Sequence, residues 1–260
     1  MKRLAVAALA VLSVPAFATP DTVRYGPRNY VGYLWKPEGR GPFPAMVWNH
    51  GSEEKVDPRA PLARFFLSRG YVFFMPVRRG HKPNTDHQNY FEVIRSKADD
   101  KARATLQALV AEREDVHAGY NFVARLPAVN PHRIVLGGCS FGGIETVLAT
   151  ETIPARAFID WAGASESWAG SAPLRARLID AIAKGRGPIF FLQASNDYDT
   201  TPTKVLSFEM GKHNRYFKAE IFPPLGSGQR GAAGHGPFCS SPEAWGAEVA
   251  AWLETHNAHK

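Results

Sequence analysis

The chain has 260 residues, is 45% hydrophobic and 21% charged, contains 23 Gly and 20 Pro, and carries a formal charge of +7. This composition excludes a disordered chain, a collagen-like repeat and a small disulfide scaffold. Its Lys and Arg residues are scattered, with no basic run of the kind that tracks a phosphate backbone, so the positive balance points to no nucleic-acid partner.

The N-terminal pattern is that of an export signal. Lys2 and Arg3 precede the apolar stretch Leu4 to Val14, and Ala16-Phe17-Ala18 has the small-x-small form after which a signal peptidase cuts. The apolar run is too short to cross a bilayer, which takes roughly twenty residues. Residues 1–18 are therefore expected to be a signal peptide, with Thr19 as the new N-terminus. Its removal leaves 242 of the 260 residues and lowers the formal charge from +7 to +5. The expected location is secreted or periplasmic, without a stable membrane anchor.

In chain order, Asn29 to Trp35 alternates and reads as a solvent-facing antiparallel strand, and Ala45 to Trp48 as a second strand. Pro61 to Ser68 reads as a short helix closed by Gly70, followed by strand Tyr71 to Met75, helix Ala98 to Leu126 and strand His132 to Leu136. The alternation continues with helix Ile144 to Glu151, strand Ala157 to Trp161 and helix Pro173 to Lys184. Strand Pro188 to Gln193, helix Pro202 to Lys212, strand Tyr216 to Phe222 and helix Pro242 to Asn257 complete it. Buried-strand segments alternating with helical ones imply an α/β fold: about eight mostly parallel strands with helices on both faces, in one domain over residues 19–260. Between the strands at Trp161 and Pro188 there is room for barely one helix, so no large lid is expected.

Chemistry concentrates at Gly138-Cys139-Ser140-Phe141-Gly142, a G-x-S-x-G segment between a strand and a helix. A tight turn there lifts the side chain of Ser140 to a helix N-terminus, where the amide of Phe141 can meet an oxyanion. A serine hydroxyl needs a base, and in chain order an acid and then a histidine should follow. Asp197 lies just past a strand end, where ligand sites in such sheets sit, with Asp199 as its alternate. His235 is presented by the Gly-rich loop Gly234-His235-Gly236, whereas His213 and His256 fall on helical segments and read as solvated. A second oxyanion amide is expected from Ser52 in Asn49-His50-Gly51-Ser52, with His50 bracing that loop.

With these residues in place the chain resembles the α/β-hydrolase superfamily, and within it the dienelactone hydrolase-like branch related to prolyl-oligopeptidase-type serine hydrolases. The resemblance rests on His50-Gly51, Arg79-Gly80, the Gly138 to Gly142 elbow, Asn196-Asp197 and Gly234-His235-Gly236. It implies the α/β-hydrolase fold and a Ser140, Asp197, His235 triad. Dienelactone hydrolases carry Cys at the nucleophile position, whereas here Cys139 precedes Ser140, so the expectation is a generic serine ester hydrolase and not a dienelactone hydrolase.

The same arrangement would bring Cys139 near Cys239, leaving two alternatives: a disulfide or two buried thiols. His81 and His87, six apart around Asp86, read as a surface loop and not a metal site. No phosphate-binding glycine motif occurs, so no cofactor is expected. The segment Arg78 to Ala98, with His81, His87, Tyr90 and Phe91, is expected to wall an open, shallow site for a small ester. The alternatives are a peptidase with the same triad and a non-catalytic binding protein on the same fold.

Overall fold

The computed structural model describes residues 19–86, 92 and 100–257. The expected signal peptide and the expected wall residues His87, Tyr90 and Phe91 lie outside them.

Eight strands form one sheet in the order β1-β2-β4-β3-β5-β6-β7-β8. They are β1 Asp21–Tyr25, β2 Tyr30–Trp35, β3 Phe43–Asn49, β4 Val72–Pro76, β5 Val129–Cys139, β6 Ala157–Trp161, β7 Ile189–Ala194 and β8 Phe217–Phe222. The pairs β1 with β2 and β2 with β4 are antiparallel, and every later pair is parallel. Parallel neighbours need crossovers, which the helices supply: α1 Ala60–Leu67, α2 Lys101–Ala124, α3 Phe141–Ala149, α4 Ala172–Lys184, α5 Thr201–Lys212, α6 Ala232–Ser240 and α7 Pro242–Asn257.

The period-two geometry of the strands splits the core in two. Val72 and Phe74 of β4 join Leu136 of β5 and Phe191 of β7 beneath α2, α3, α4 and α5. Phe73, Met75, Val135, Phe190 and Leu192 point the other way, against α1, α6 and α7. Strands buried on both faces read as continuous apolar runs, which is why these segments are visible in the sequence.

Three expectations need correction. Strand β1 was not foreseen: Asp-Thr-Val-Arg-Tyr is short and mostly exposed, and only its hairpin with β2 makes it a strand. β2 is antiparallel as expected but not solvent-facing. It lies inside the sheet, with Tyr30 and Leu34 in one core and Trp35 in the other. The Gly-rich segment around His235 is not a loop but helix α6, despite Pro237 inside it. Its low intrinsic propensity is overridden by burial of Phe238 and by the packing of Trp245, whose indole N–H donates to the Phe238 carbonyl at 2.8 Å.

Chain order reverses around β3, with β4 on one side and β5 on the other, and a crevice opens above their carboxyl ends. The candidate site lies there.

Candidate active site

β5 ends at Cys139, and Ser140 turns the chain into α3 with φ 59° and ψ −117°, in the sparsely populated region for a residue bearing a side chain. Its N–H is held by the Trp161 carbonyl at 2.9 Å, and its own carbonyl accepts the N–H groups of Gly143 and Ile144. The turn works because β3 runs so close beneath it. A Cβ on Gly142 or Gly138 would overlap the carbonyl oxygen of Asn49. The two glycines of the motif are thus required by packing against β3, and the hydroxyl of Ser140 stands at the N-terminus of α3.

Opposite it is His235 on α6. Its Nδ1 lies 3.0 Å from each carboxylate oxygen of Asp197, so Nδ1 carries the proton and Nε2 is left as a base. Asp197 is fully buried and also accepts the Tyr198 N–H at 2.6 Å. Asp199 plays another part: it accepts the Thr201 N–H at the start of α5 and does not reach the histidine. Two further neighbours hold the pair in place. Ser165, in the turn after β6, places Oγ 3.1 Å from His235 Nδ1. Asn196 donates from Nδ2 to the carbonyls of Leu225 and Gln229 and accepts the Leu225 N–H. Its carbonyl accepts the Gly231 N–H, so one residue before Asp197 the chain is stitched to the segment that carries His235.

The loop after β3 is braced from behind. Arg78, wholly buried, donates from Nη1 to the His50 carbonyl at 2.8 Å, from Nη2 to the Gly51 carbonyl at 3.0 Å and from Nε to Glu112 at 2.6 Å. His50 donates from Nδ1 to the Gly51 carbonyl at 2.8 Å and accepts the Arg78 N–H at 3.1 Å on Nε2. Burial, and then the charge of Arg78, holds His50 well below the usual histidine range, so it stays neutral as this bonding requires. The bracing expected of His50 is therefore present, and Arg78 does more of it. Ser52 lines the crevice, and its amide bonds to nothing among the described residues.

Buried charge gathers behind that loop. Burial raises the Glu112 carboxyl, but Arg78 and His81 outweigh it and hold the group below its ordinary value. Glu145, one turn along α3 from Ser140, has both oxygens buried without a hydrogen-bond partner. Burial, reinforced by Glu112, pushes its carboxyl well up, toward the neutral form. His81 is fully buried, with Nδ1 2.6 Å from the Glu53 carbonyl, and is not on the surface as expected. His256 also departs from the solvated reading: it is half-buried against Trp252, with Nδ1 on the Trp252 carbonyl. On the far side of Ser140, burial raises Asp160 of β6 to about 7, with the Gly163 N–H bonded to it at 2.8 Å.

The crevice is a cleft of about 230 Å³, and Ser140 and His235 both line it. Its apolar wall is Trp48, Leu62 and the disulfide joining Cys139 to Cys239, whose Cα atoms are 5.6 Å apart. That bond resolves the two alternatives for the cysteines and ties the start of the elbow to α6. The polar wall is Glu53 and Arg59, paired at 2.6 Å, and Glu166. Among the described residues, the wall facing α6 is built from the loop after β3 and from α1, not from the segment around His81. No described helix is long and apolar enough to cross a membrane.

No family model matches the chain, and no curated protein matches it by sequence. Solved structures match it in fold. Pyrococcus horikoshii acylaminoacyl peptidase superposes with a TM-score of 0.69 at 17% identity, over 94% of this chain and 43% of that one. A Klebsiella pneumoniae protein described as a dienelactone hydrolase gives 0.61 at 18%, over 86% and 92%. Thermogutta terrifontis esterase 2, in a form phosphoramylated by tabun, gives 0.58 at 17%, over 97% and 100%. The chain spans less than half the length of the peptidase and nearly all of the other two. Identity at this level speaks for architecture alone, and the architecture, a mostly parallel eight-stranded sheet between two helical layers in one domain, is the α/β-hydrolase fold.

Proposed function

We propose that the chain is an exported serine hydrolase that cleaves carboxylic esters through an acyl-enzyme on Ser140. The observation that carries this reading is the pairing in one cleft of a serine at φ 59° on a helix N-terminus with a histidine whose Nδ1 is held by a buried aspartate. In the mechanism, His235 Nε2 takes the Ser140 proton as Oγ attacks the ester carbonyl. Asp197 keeps the ring in the right tautomer and stabilises the imidazolium. The amides of Phe141 and Ser52 donate to the oxyanion, the alcohol leaves with the proton from His235, and water then releases the acid by the same steps.

The cleft is at the small end for a ligand site, which supports short acyl groups over long chains. The disulfide supports an oxidising compartment, in line with the signal-like N-terminus. The test is turnover of p-nitrophenyl esters of increasing chain length by the chain beginning at Thr19. Short esters should be cleaved fastest and Ser140→Ala should be inactive; equal turnover by Ser140→Ala would overturn the assignment. Because a peptidase is among the structural neighbours, a peptide p-nitroanilide is run beside the ester, and a higher kcat/KM for the amide would make the peptidase reading the better one.

A further inference from the structure

Of the five large hydrophobic side chains that the described surface exposes, Tyr216, Phe217 and Ile221 lie on or beside β8, and Phe208 lies on the neighbouring α5. β8 is the outermost strand of the sheet. Phe208 lies one turn before Gly211, which packs against the ring of Phe217. An apolar, regular edge strand is a template for pairing with another chain, and proteins usually blunt it with a proline, a bulge or an outward charge. β8 contains no proline, and its register with β7 is unbroken. Its Lys218 is engaged sideways, over the Phe190 ring and on Glu220 and Glu248.

The open edge has a definite register. The N–H of Ile189 donates to the Tyr216 carbonyl and that of Ser195 to the Phe222 carbonyl. The even-numbered residues of β8 therefore turn their backbone groups to β7, and Phe217, Ala219 and Ile221 turn theirs outward. We propose that the chain dimerises by antiparallel pairing of two β8 strands about a two-fold axis at Ala219, joining two eight-stranded sheets edge to edge.

About that axis Ala219 faces its own copy, Phe217 faces Ile221 of the partner, and both pairs present outward N–H and C=O groups to each other. Between them fall the non-hydrogen-bonded pairs, Lys218 against Glu220 on both sides of the axis, as the alternation of an antiparallel ladder demands. Moving the axis by one residue would set Lys218 against Lys218 or Glu220 against Glu220. Outward groups meet outward groups for axes at Phe217, Ala219 or Ile221, and of these only the axis at Ala219 sets Lys218 against Glu220. An isologous contact of this kind uses up both edges and closes as a dimer.

The experiment is sedimentation equilibrium of the chain beginning at Thr19 over a concentration series, with circular dichroism to verify folding. The wild type should sediment at twice the monomer mass. Lys218→Glu and Glu220→Lys should each weaken association about tenfold or more, and an equimolar mixture of the two should recover it, because an all-acidic edge then meets an all-basic one. Ile221→Lys, which changes an exposed side chain outside the ion pairs, should likewise give monomer. A monomeric wild type, open-ended polymers, or variants that dimerise as the wild type does would each overturn the proposal.

Discussion

Two pairs of ionisable residues flank Ser140, and they are built for different ends. Arg78 and Glu112 have side chains 0% and 5% exposed, and the guanidinium donates to Glu112 and to the His50 and Gly51 carbonyls of the loop after β3. His235 and Asp197 are 13% and 0% exposed, and the histidine keeps one ring nitrogen for the cleft while the other is held. A pair whose bonds are all spent inward can hold a loop still but cannot exchange a proton. One that leaves a nitrogen on the cleft side can. Under the proposed function Arg78 positions and His235 does the chemistry, and the contrast can be broken from either side.

The largest effect is expected at the working pair. Asp197→Asn reverses the preference for the Nδ1–H tautomer and should lower kcat about 10⁴-fold while the fold persists. Steady-state kinetics with a matched melting curve checks this, and a loss under tenfold would demote Asp197 to a structural role.

Next is the tether that only the His235 side possesses. Cys139 and Cys239 are 100 residues apart, and a bond closing such a loop is worth roughly 4 to 5 kcal/mol in the chain-entropy model. Replacing both with Ala should cost stability of that order by urea unfolding. The kcat of the folded protein should fall less than about tenfold, because Asn196 and Asp197 still hold α6.

Asp160 comes third and concerns stability alone. Its ordinary value is 3.8 and burial lifts it to about 7. Between those values the folded state keeps a proton that the unfolded chain has lost. Stability contributed by this group therefore falls as pH rises from about 4 to 7 and is flat above. Asp160→Asn, whose amide oxygen can still accept the Gly163 N–H, should remove a slope amounting to roughly 3 kcal/mol, read as a difference in melting temperature between pH 5 and pH 8.

The smallest effect belongs to the brace. Arg78→Lys keeps the charge but loses the fork that reaches both carbonyls, so the Ser52 amide should drift from the oxyanion position. The expected result is a fall of about tenfold in kcat with KM nearly unchanged. The affinity of a trifluoromethyl ketone, which mimics the oxyanion, should fall in parallel. If KM rises and kcat holds, Arg78 shapes ground-state binding instead.

What was legible in the sequence follows a physical line. Ser140 could be found because its requirements are local: a strand, a turn, a helix and two glycines within five residues. Asp197 and His235 were named from chain order, and of the two aspartates it is Asp197 that lies against His235. The brace was not legible. Arg78, Glu112 and Glu145 are far apart in the chain, and charged residues in sequence read as surface. Only the crossing of α2 behind the loop after β3 makes Arg78 and Glu112 buried partners, with Glu145 of α3 buried beside them. Likewise α6 was hidden by its glycines and Pro237, because Phe238 and the disulfide, not propensity, hold it as a helix.

The central claim is that Ser140 is the nucleophile served by His235. Intact chain is incubated with a fluorophosphonate probe, with and without prior acylation by a p-nitrophenyl ester, and the modified residue is located by mass spectrometry of its peptides. The account predicts one adduct, on Ser140, blocked by the ester and absent from Ser140→Ala and from His235→Ala. Labelling elsewhere, or undiminished labelling in His235→Ala, would contradict it.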